Sequence, residues 1–314
     1  MSSVPLWYFI QMPMSMTTER EPSICLPDIQ VPPAWERLTL EGLSGPLMVI
    51  GATDTGKSTF ARYLYCRLCR FHERVAFVDG DVGQSSLGPP TTMTLVVHRP
   101  GEEGFPPAGP RHRVFIGDCS PRGHLLSTVI GLYKLVRRAR DLGATAIVVD
   151  TTGLVDRAQA GGVLKQAKVE LIRPTVVYAL QRGAELEYML LPLRRSRRTR
   201  VVDLPISSAV RRRDVATRRA HRAEMFRRYF EGAGLLEVPW GRMAVFPAPT
   251  FRPGQLVALE DVEGFALALG VVEEIDPRAR TVRLRTPAVT LDGVDAIRLG
   301  SLSLDPETGQ EVAR

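Results

Sequence analysis

The sequence predicts an α/β domain built on a mostly parallel sheet, with a helical arginine-rich lid, followed by a small C-terminal β domain. Three observations carry that expectation. Apolar runs of strand length (PLMVI, RVAFVD, RVFIGD, TAIVVD and TVVYAL) alternate with segments of helical period that begin near Lys57, His124 and Gly161, the pattern of strands covered by helices on both faces. The stretch RRRDVATRRAHRAEMFRRYF, starting at Arg211, is free of Gly and Pro and suits a helix. After Phe230 the chain changes to short runs, MAVFPA, QLVAL, FALALGVVEEI, TVRLRT and AIRLGSLSL, separated by DxxG, DP and LDG turns, as in a small β domain.

In order, residues 1–40 are rich in Pro, Met and Ser without a sustained period and read as an arm covering the next domain, its first part disordered. Residues 41–235 form the α/β domain, with RPGEEGFPPAGPR from Arg99 to Arg111 as a loop and the lid near 194–228. Residues 236–314 form the β domain. The chain has 314 residues, 44% of them hydrophobic, and a formal net charge of +7, which excludes disorder, collagen and a transmembrane bundle. No run approaches the ~20 apolar residues of a membrane span, and MSSVPLWYFIQMPMSM lacks the basic start and apolar core of a signal peptide. A cytoplasmic protein with no membrane contact is expected. Four cysteines make no disulfide framework. Cys66 and Cys69 with His72 share a helical face but lack a fourth zinc ligand, so buried helix cysteines are expected there. Trp7, Trp35 and Trp240 are expected in cores.

The basic charge has an address. Lysine occurs only at Lys57, Lys134, Lys165 and Lys168, leaving 37 arginines. Thirteen of these lie between Arg194 and Arg228 against Asp203, Asp214 and Glu224, a local net charge of +10, while the rest of the chain sums to −3. Such a segment suits phosphate or nucleic-acid contact.

Gly51-Ala-Thr53-Asp54-Thr55-Gly56-Lys57-Ser58 fits GxxxxGK[ST] between a predicted strand and a predicted helix, which makes the domain a P-loop NTPase. Gly51 and Gly56 let successive amides turn toward phosphate oxygens, and the helix N-terminus adds its positive dipole end. Lys57 reaches the β- and γ-phosphates and the Ser58 hydroxyl ligates Mg²⁺. The second strand ends in Asp79-Gly-Asp81, two carboxylates at i and i+2. One can hold a water on Mg²⁺ while the other takes a proton from an attacking hydroxyl. Asp150-Thr151-Thr152-Gly153-Leu154 follows the run AIVVD, a usual place for a metal-side carboxylate and also a GTPase switch pattern. No lysine is followed two residues on by Asp, which disfavours specific GTP binding. Within the lid, Arg211, Arg218 and Arg222 share one broad helical face, where guanidinium forks can clamp phosphoryl oxygens.

These residues resemble the polynucleotide 5′-hydroxyl kinases typified by the kinase subunit of the eukaryotic pre-mRNA cleavage machinery, pre-rRNA-processing kinases and their archaeal relatives. The resemblance runs from Pro46 to Phe230, and the β tail is similar to the family's C-terminal domain. TDTGKST, including Thr59, matches the family's TDxGKST. Asp81-Val-Gly-Gln84 matches DxGQ, implying that Asp81 is a metal ligand and general base, with Gln84 beside the metal. FIGDCSPRGH resembles the G-x-x-SP segment, and residues 150–154 fall on the clasp, N-T-x-G-W, that pins the terminal nucleotide. The match implies that Asp79, Thr151, Thr152, Gly153 and Arg222 touch substrate. Counting back from Tyr229-Phe-Glu-Gly232 places Arg213, Arg218 and Arg222 on lid arginines, with Arg213 and Arg218 as the phosphate clamp. Leu154 replaces the clasp tryptophan, Asp150 replaces its asparagine, and the shorter arm leaves the adenine pocket unassigned.

The resemblance implies an enzyme that uses ATP and Mg²⁺ to phosphorylate the 5′-hydroxyl end of RNA or DNA, with protein partners unknown. Two alternatives stand beside it: a nucleotide-driven switch or assembly ATPase or GTPase, suggested by VVDTTG, and a non-catalytic scaffold that holds ATP, suggested by the altered clasp.

Overall fold

The computed structural model describes residues 29–99, 102 and 104–312; the first 28 residues of the expected arm, Trp7 among them, lie outside these. The first sheet has seven strands: β1 (Gly45–Gly51), β2 (Val75–Gly80), β3 (Thr92–Val97), β4 (His112–Phe115), β5 (Ala146–Thr151), β6 (Val176–Leu180) and β7 (Arg200–Leu204). Their spatial order is β4-β3-β2-β5-β1-β6-β7. The run from β2 through β5, β1 and β6 to β7 is parallel.

Residues alternate between two cores, as the two-residue strand period requires. Met48, Ile50, Val78 and Val149 face one side, packed under α3 (Leu125–Asp141), α4 (Gly161–Ile172) and α5 (Glu187–Arg195). Leu47, Val49, Phe77 and Val148 face the other, under α2 (Lys57–Leu68). The described end of the arm, residues 29–40, includes α1 (Pro33–Glu36), which seats Trp35 against Phe60 and Tyr63 at ring separations of 5.0 and 5.6 Å.

Two strands of this sheet, β3 (TMTLVV) and β7 (RVVDL), were not foreseen, and RVFIGD, expected among the parallel strands, supplies β4 as an antiparallel edge. Among the described residues no helix separates β3 from β4, and the two strands pair antiparallel as a hairpin and not through a crossover. The arginine segment is also divided. Arg194 and Arg195 end α5, with Arg194 paired to Glu187 at 2.5 Å and Asp203 at 2.7 Å, and Arg200 opens β7. The lid proper therefore begins after Leu204.

Its helix, α6 (Val215–Phe230), starts four residues later than the Gly/Pro-free run suggests, because Asp214 caps it by accepting the Thr217 amide at 2.6 Å. The second sheet comprises β8 (Gly234–Val238), β9 (Ala244–Phe246), β10 (Gln255–Glu260), β11 (Ala266–Asp276), β12 (Thr281–Thr286) and β13 (Ala296–Ser303), in the order β8-β12-β11-β10-β13-β9. Phe226 and Phe230 of α6 pack into this sheet's core beside Leu256, Ala258 and Leu269, and the Tyr229 hydroxyl accepts the Leu269 amide at 2.9 Å. The β domain is thus the platform on which the lid helix lies. Trp240 packs against a second cluster of this sheet, beside Phe251.

The Cys66 expectation needs correction: it is disulfide-bonded, while Cys69 and Cys119 are free. Both ring nitrogens of His72 are engaged elsewhere, with Thr145 and the Leu43 carbonyl at 2.8 Å each.

Candidate active site

The carboxyl ends of the parallel strands open onto a cleft of about 770 Å³, lined by residues 52–59, Asp81, Gln84, 119–122, 152–156 and the lid arginines Arg213, Arg218 and Arg222. A larger cavity, about 1030 Å³, lies between α4 and α5; size alone does not mark the site.

The donor side is the turn from β1 into α2. A Cβ on Gly51 would come within 2.5 Å of the Thr55 hydroxyl and 2.6 Å of the Leu180 carbonyl, and Gly56 sits at φ 82°, so both positions require glycine. Thr55 Oγ1 and Lys57 Nζ donate to the Ala52 carbonyl at 2.9 and 2.7 Å, holding the loop in a ring. Burial pulls the Lys57 ammonium below its ordinary pKa, against Asp150, Asp81 and Asp54, which favour its charge. Thr53 and Thr59 stand exposed at the cleft. Sequence reasoning missed Arg182, at the end of β6, which donates to the Asp54 carbonyl and, at 3.5 Å, to that of Thr53. A strand-end Gln-Arg beside the loop was the available signal.

The carboxylates divide their labour. Asp79 and Asp150 are register partners at the ends of β2 and β5. The Ser58 hydroxyl is hydrogen-bonded to the Asp150 carboxylate, whose pKa burial raises to about 7, with Asp79 adding to the rise and Lys57 opposing it. This placement sets Asp150 beside the P-loop Ser58, and not on the clasp alone. Asp81 accepts the Gly83 and Gln84 amides on Oδ1 at 3.0 and 3.2 Å; among the described residues its Oδ2 has no hydrogen bond.

Asp79, expected to touch substrate, does not. It is buried, and its Oδ2 accepts Ser85 Oγ, Ser86 N, Ser86 Oγ and Leu87 N. Burial raises its pKa while those bonds lower it. It organises the loop that presents Asp81 and Gln84. Thr151 is likewise turned inward, its hydroxyl donating to the Val49 carbonyl at 2.7 Å and accepting Lys165 Nζ at 2.7 Å. A side chain at a strand end alternates faces, and Thr151 falls on the inner one. Thr152 and Gly153 do line the cleft. Gly153 lies on the P-loop itself: a Cβ there would reach within 2.8 Å of the Thr53 backbone.

The lid arginines reach the P-loop. Arg218 Nη2 donates to Asp54 Oδ2 at 2.7 Å and the Arg213 amide to the same oxygen at 3.1 Å. Gln84 Oε1 accepts Arg213 Nη1 at 3.5 Å, and its Nε2 donates to the Gly83 and Arg218 carbonyls. Gln84 therefore links the Asp81 loop to the lid. Arg222 lines the cleft too, but its Nε donates at 2.6 Å to Glu311 in the C-terminal tail, so its expected substrate contact is shared with a protein carboxylate. The tail crosses the lid at Gly309, where a Cβ would collide with the Ala223 carbonyl. Across the cleft, Ser301 of β13 is bonded to Asp118 and His124, fixing the SP segment to the β domain.

The family model for the mRNA cleavage and polyadenylation factor CLP1 P-loop matches residues 51–232. The chain is 28% identical to a polyribonucleotide 5′-hydroxyl-kinase of Thermococcus kodakarensis, over 85% of this chain and 90% of that protein. It is 25% identical to one of Methanocaldococcus jannaschii, over 85% and 88%. A polyribonucleotide 5′-hydroxyl-kinase Clp1 of Bos taurus is 33% identical over 60% of this chain and 46% of that one. Among solved structures, Clp1p in its complex with Pcf11p superposes with a TM-score of 0.63 at 14% identity, covering 86% of this chain and 77% of that one. That likeness establishes the shared fold.

Proposed function

Because the chain belongs to the mRNA cleavage and polyadenylation factor CLP1 P-loop family, we propose that it is an ATP-dependent polynucleotide 5′-hydroxyl kinase. It moves the γ-phosphoryl group of ATP to the 5′-hydroxyl of an RNA or DNA strand. The observation that carries this reading is the convergence in one cleft of the P-loop Lys57 and Ser58, the carboxylates Asp81 and Asp150, and the lid arginines Arg213 and Arg218. The archaeal relatives named as polyribonucleotide kinases, matched over most of their length, support RNA as the substrate class.

The donor set fits a Mg²⁺ ion. Ser58 Oγ and the Asp150 and Asp81 carboxylates are hard oxygen ligands, and Mg²⁺ typically takes only one or two carboxylates beside phosphate and water. Among the described residues no cluster of three His, Cys, Asp or Glu forms a self-sufficient cage, so the nucleotide would complete the shell. Held by Ser58, Asp81 and Asp150, Mg²⁺ would offset charge on the ATP phosphates.

The protein's own contributions follow from the geometry. The backbone of residues 51–58 cradles the ATP phosphates, and Lys57 offsets charge on the β- and γ-oxygens. Asp81 orients the 5′-hydroxyl and accepts its proton through the unbonded Oδ2. The O5′–P bond forms as the bond from the γ-phosphorus to the β–γ bridging oxygen breaks, and ADP leaves. Arg213 and Arg218, one step from the P-loop, swing their guanidinium groups from Asp54 and Gln84 to the transferring phosphoryl group, where positioning and electrostatics provide the rate. Thr152 and Gly153 bound the acceptor side. The complex of Clp1p with Pcf11p supports a search for protein partners. The test is label transfer from γ-labelled ATP to 5′-hydroxyl RNA and DNA oligonucleotides run side by side. Absence of transfer by the pure wild-type chain would sink the proposal.

A further inference from the structure

Arginine supplies the basic charge of this chain almost everywhere, so each of the four lysines marks a place where the prevailing residue was not used. Lys57 belongs to the P-loop. Lys134 donates to the Gly264 carbonyl at 2.6 Å, at the contact between α3 and the β domain. The other two, Lys165 and Lys168, lie one turn apart on α4 and are 2% and 0% exposed. A buried cation is costly unless a fixed partner meets it. A compact ammonium fits where a planar guanidinium does not.

Lys165 has such partners. Its Nζ donates to the Thr151 hydroxyl at 2.7 Å and to the Thr152 carbonyl at 2.5 Å, while the Thr151 hydroxyl donates in turn to the Val49 carbonyl. Both bonds converge on the strip that leaves β5. The next residue, Gly153, rests on Thr53, and Thr152 Oγ1 accepts the Leu154 amide at 3.2 Å. Residues 152–156 form one wall of the cleft and the SP segment forms another. Beneath them, Lys168 Nζ has no hydrogen-bond acceptor among the described residues; the carboxylates that act on it are Asp81 and Asp150.

We infer that Lys165 is a positioning residue for the acceptor strand: by pinning Thr151 and Thr152 from below, it sets the wall against which the 5′-hydroxyl end is held. Without Lys165 Nζ the Thr152 carbonyl loses its donor, and residues 152–154 are no longer held to the floor of the cleft. The inference rests on the kinase reading for the identity of the strand, and the experiment separates the two.

Lys165→Met replaces the Nζ donor with an unbranched apolar chain, and Thr151→Val removes the hydroxyl it holds. For each, ATP and a 5′-hydroxyl oligoribonucleotide are varied separately in the label-transfer assay. Binding of the fluorescent oligonucleotide is followed by anisotropy, and melting temperature is recorded. Lys165→Met is expected to raise KM and Kd for the oligonucleotide by about tenfold or more while leaving KM for ATP within about twofold. Thr151→Val should move the oligonucleotide constants in the same direction by about threefold. An unchanged oligonucleotide KM, or ATP and oligonucleotide constants that rise together with a falling melting temperature, overturns the inference. Should Lys165→Met not fold, Thr151→Val decides by the same criteria. If the wild type transfers no label, the kinase reading fails, and the anisotropy ratio still decides whether Lys165 shapes a strand site.

Discussion

Arg218 Nη2 lies 2.7 Å from Asp54 Oδ2, joining the lid helix to the P-loop by a half-buried ion pair at the mouth of the cleft. The same oxygen accepts the Arg213 amide, so one carboxylate holds both arginines proposed to act on the phosphoryl group. A charged hydrogen bond of this kind contributes about 1.5–3 kcal/mol. Asp54→Ala is therefore expected to lower kcat by about 10- to 100-fold, because the arginines lose their parking place beside the donor loop. Single-turnover kinetics checks this, with the melting temperature as control.

Lys57→Ala should abolish transfer to within about a thousandth of wild type. Its ammonium is favoured by Asp150, Asp81 and Asp54 and closes the loop onto the Ala52 carbonyl. Chelation of divalent cations should stop transfer equally, and added Mg²⁺ should restore the wild type but not the variant.

Asp81 and Asp79, two residues apart, should fail in opposite ways. Asp81→Asn removes the proposed base and is expected to cost about 10²- to 10⁴-fold in kcat with ATP affinity retained. Asp79→Asn removes the charge from a buried acceptor of four hydrogen bonds on one oxygen and should lower the melting temperature, at about 1–3 kcal/mol. Thermal unfolding of both variants beside their kinetics separates the two roles.

The lid should loosen from the far side. Phe226 is fully buried against the β domain, and Phe226→Ala is expected to cost about 3–5 kcal/mol. Glu311→Gln weakens the bond to Arg222 without disturbing that core, so it should alter KM for the oligonucleotide and leave the melting temperature almost unchanged.

Burial depresses the Lys168 pKa to about 8 from its ordinary 10.5. Between those values the unfolded chain binds a proton that the folded chain has released, so wild-type stability rises with pH across that window. Lys168→Met has no such proton. Its stability advantage should be fully present below pH 8 and shrink as pH climbs toward 10.5, as denaturant titrations at several pH values will show.

The sheet and the P-loop were legible because they are local: a strand-length apolar run, a glycine-lysine turn and a helix stand within about twenty residues. The lid's register was legible from the spacing of Arg213 and Arg218 before Tyr229. Long-range pairing was not. Asp79 reads like an active-site carboxylate, and only the fold shows its acceptors arriving from Ser85, Ser86 and Leu87. Thr151 sits in a clasp pattern, yet strand alternation turns it to the interior. Strand β3 is bounded by prolines and threonines that read as loop, and Arg200 to Leu204 lay hidden within an arginine-rich run. Glu311, 89 residues beyond Arg222, has no sequence signal tying it to the lid.

The contact between Gly153 and Thr53 gives the cleft a built-in gauge. The P-loop and the strip proposed to bound the acceptor meet here: a Cβ on Gly153 would fall 2.8 Å from the Thr53 backbone and 2.5 Å from its hydroxyl. Their spacing is set by hard-atom contact, which is far stiffer than any pair of flexible side chains. A methyl group inserted at Gly153 would act as a shim, widening the gap between donor and acceptor while leaving every charged residue in place.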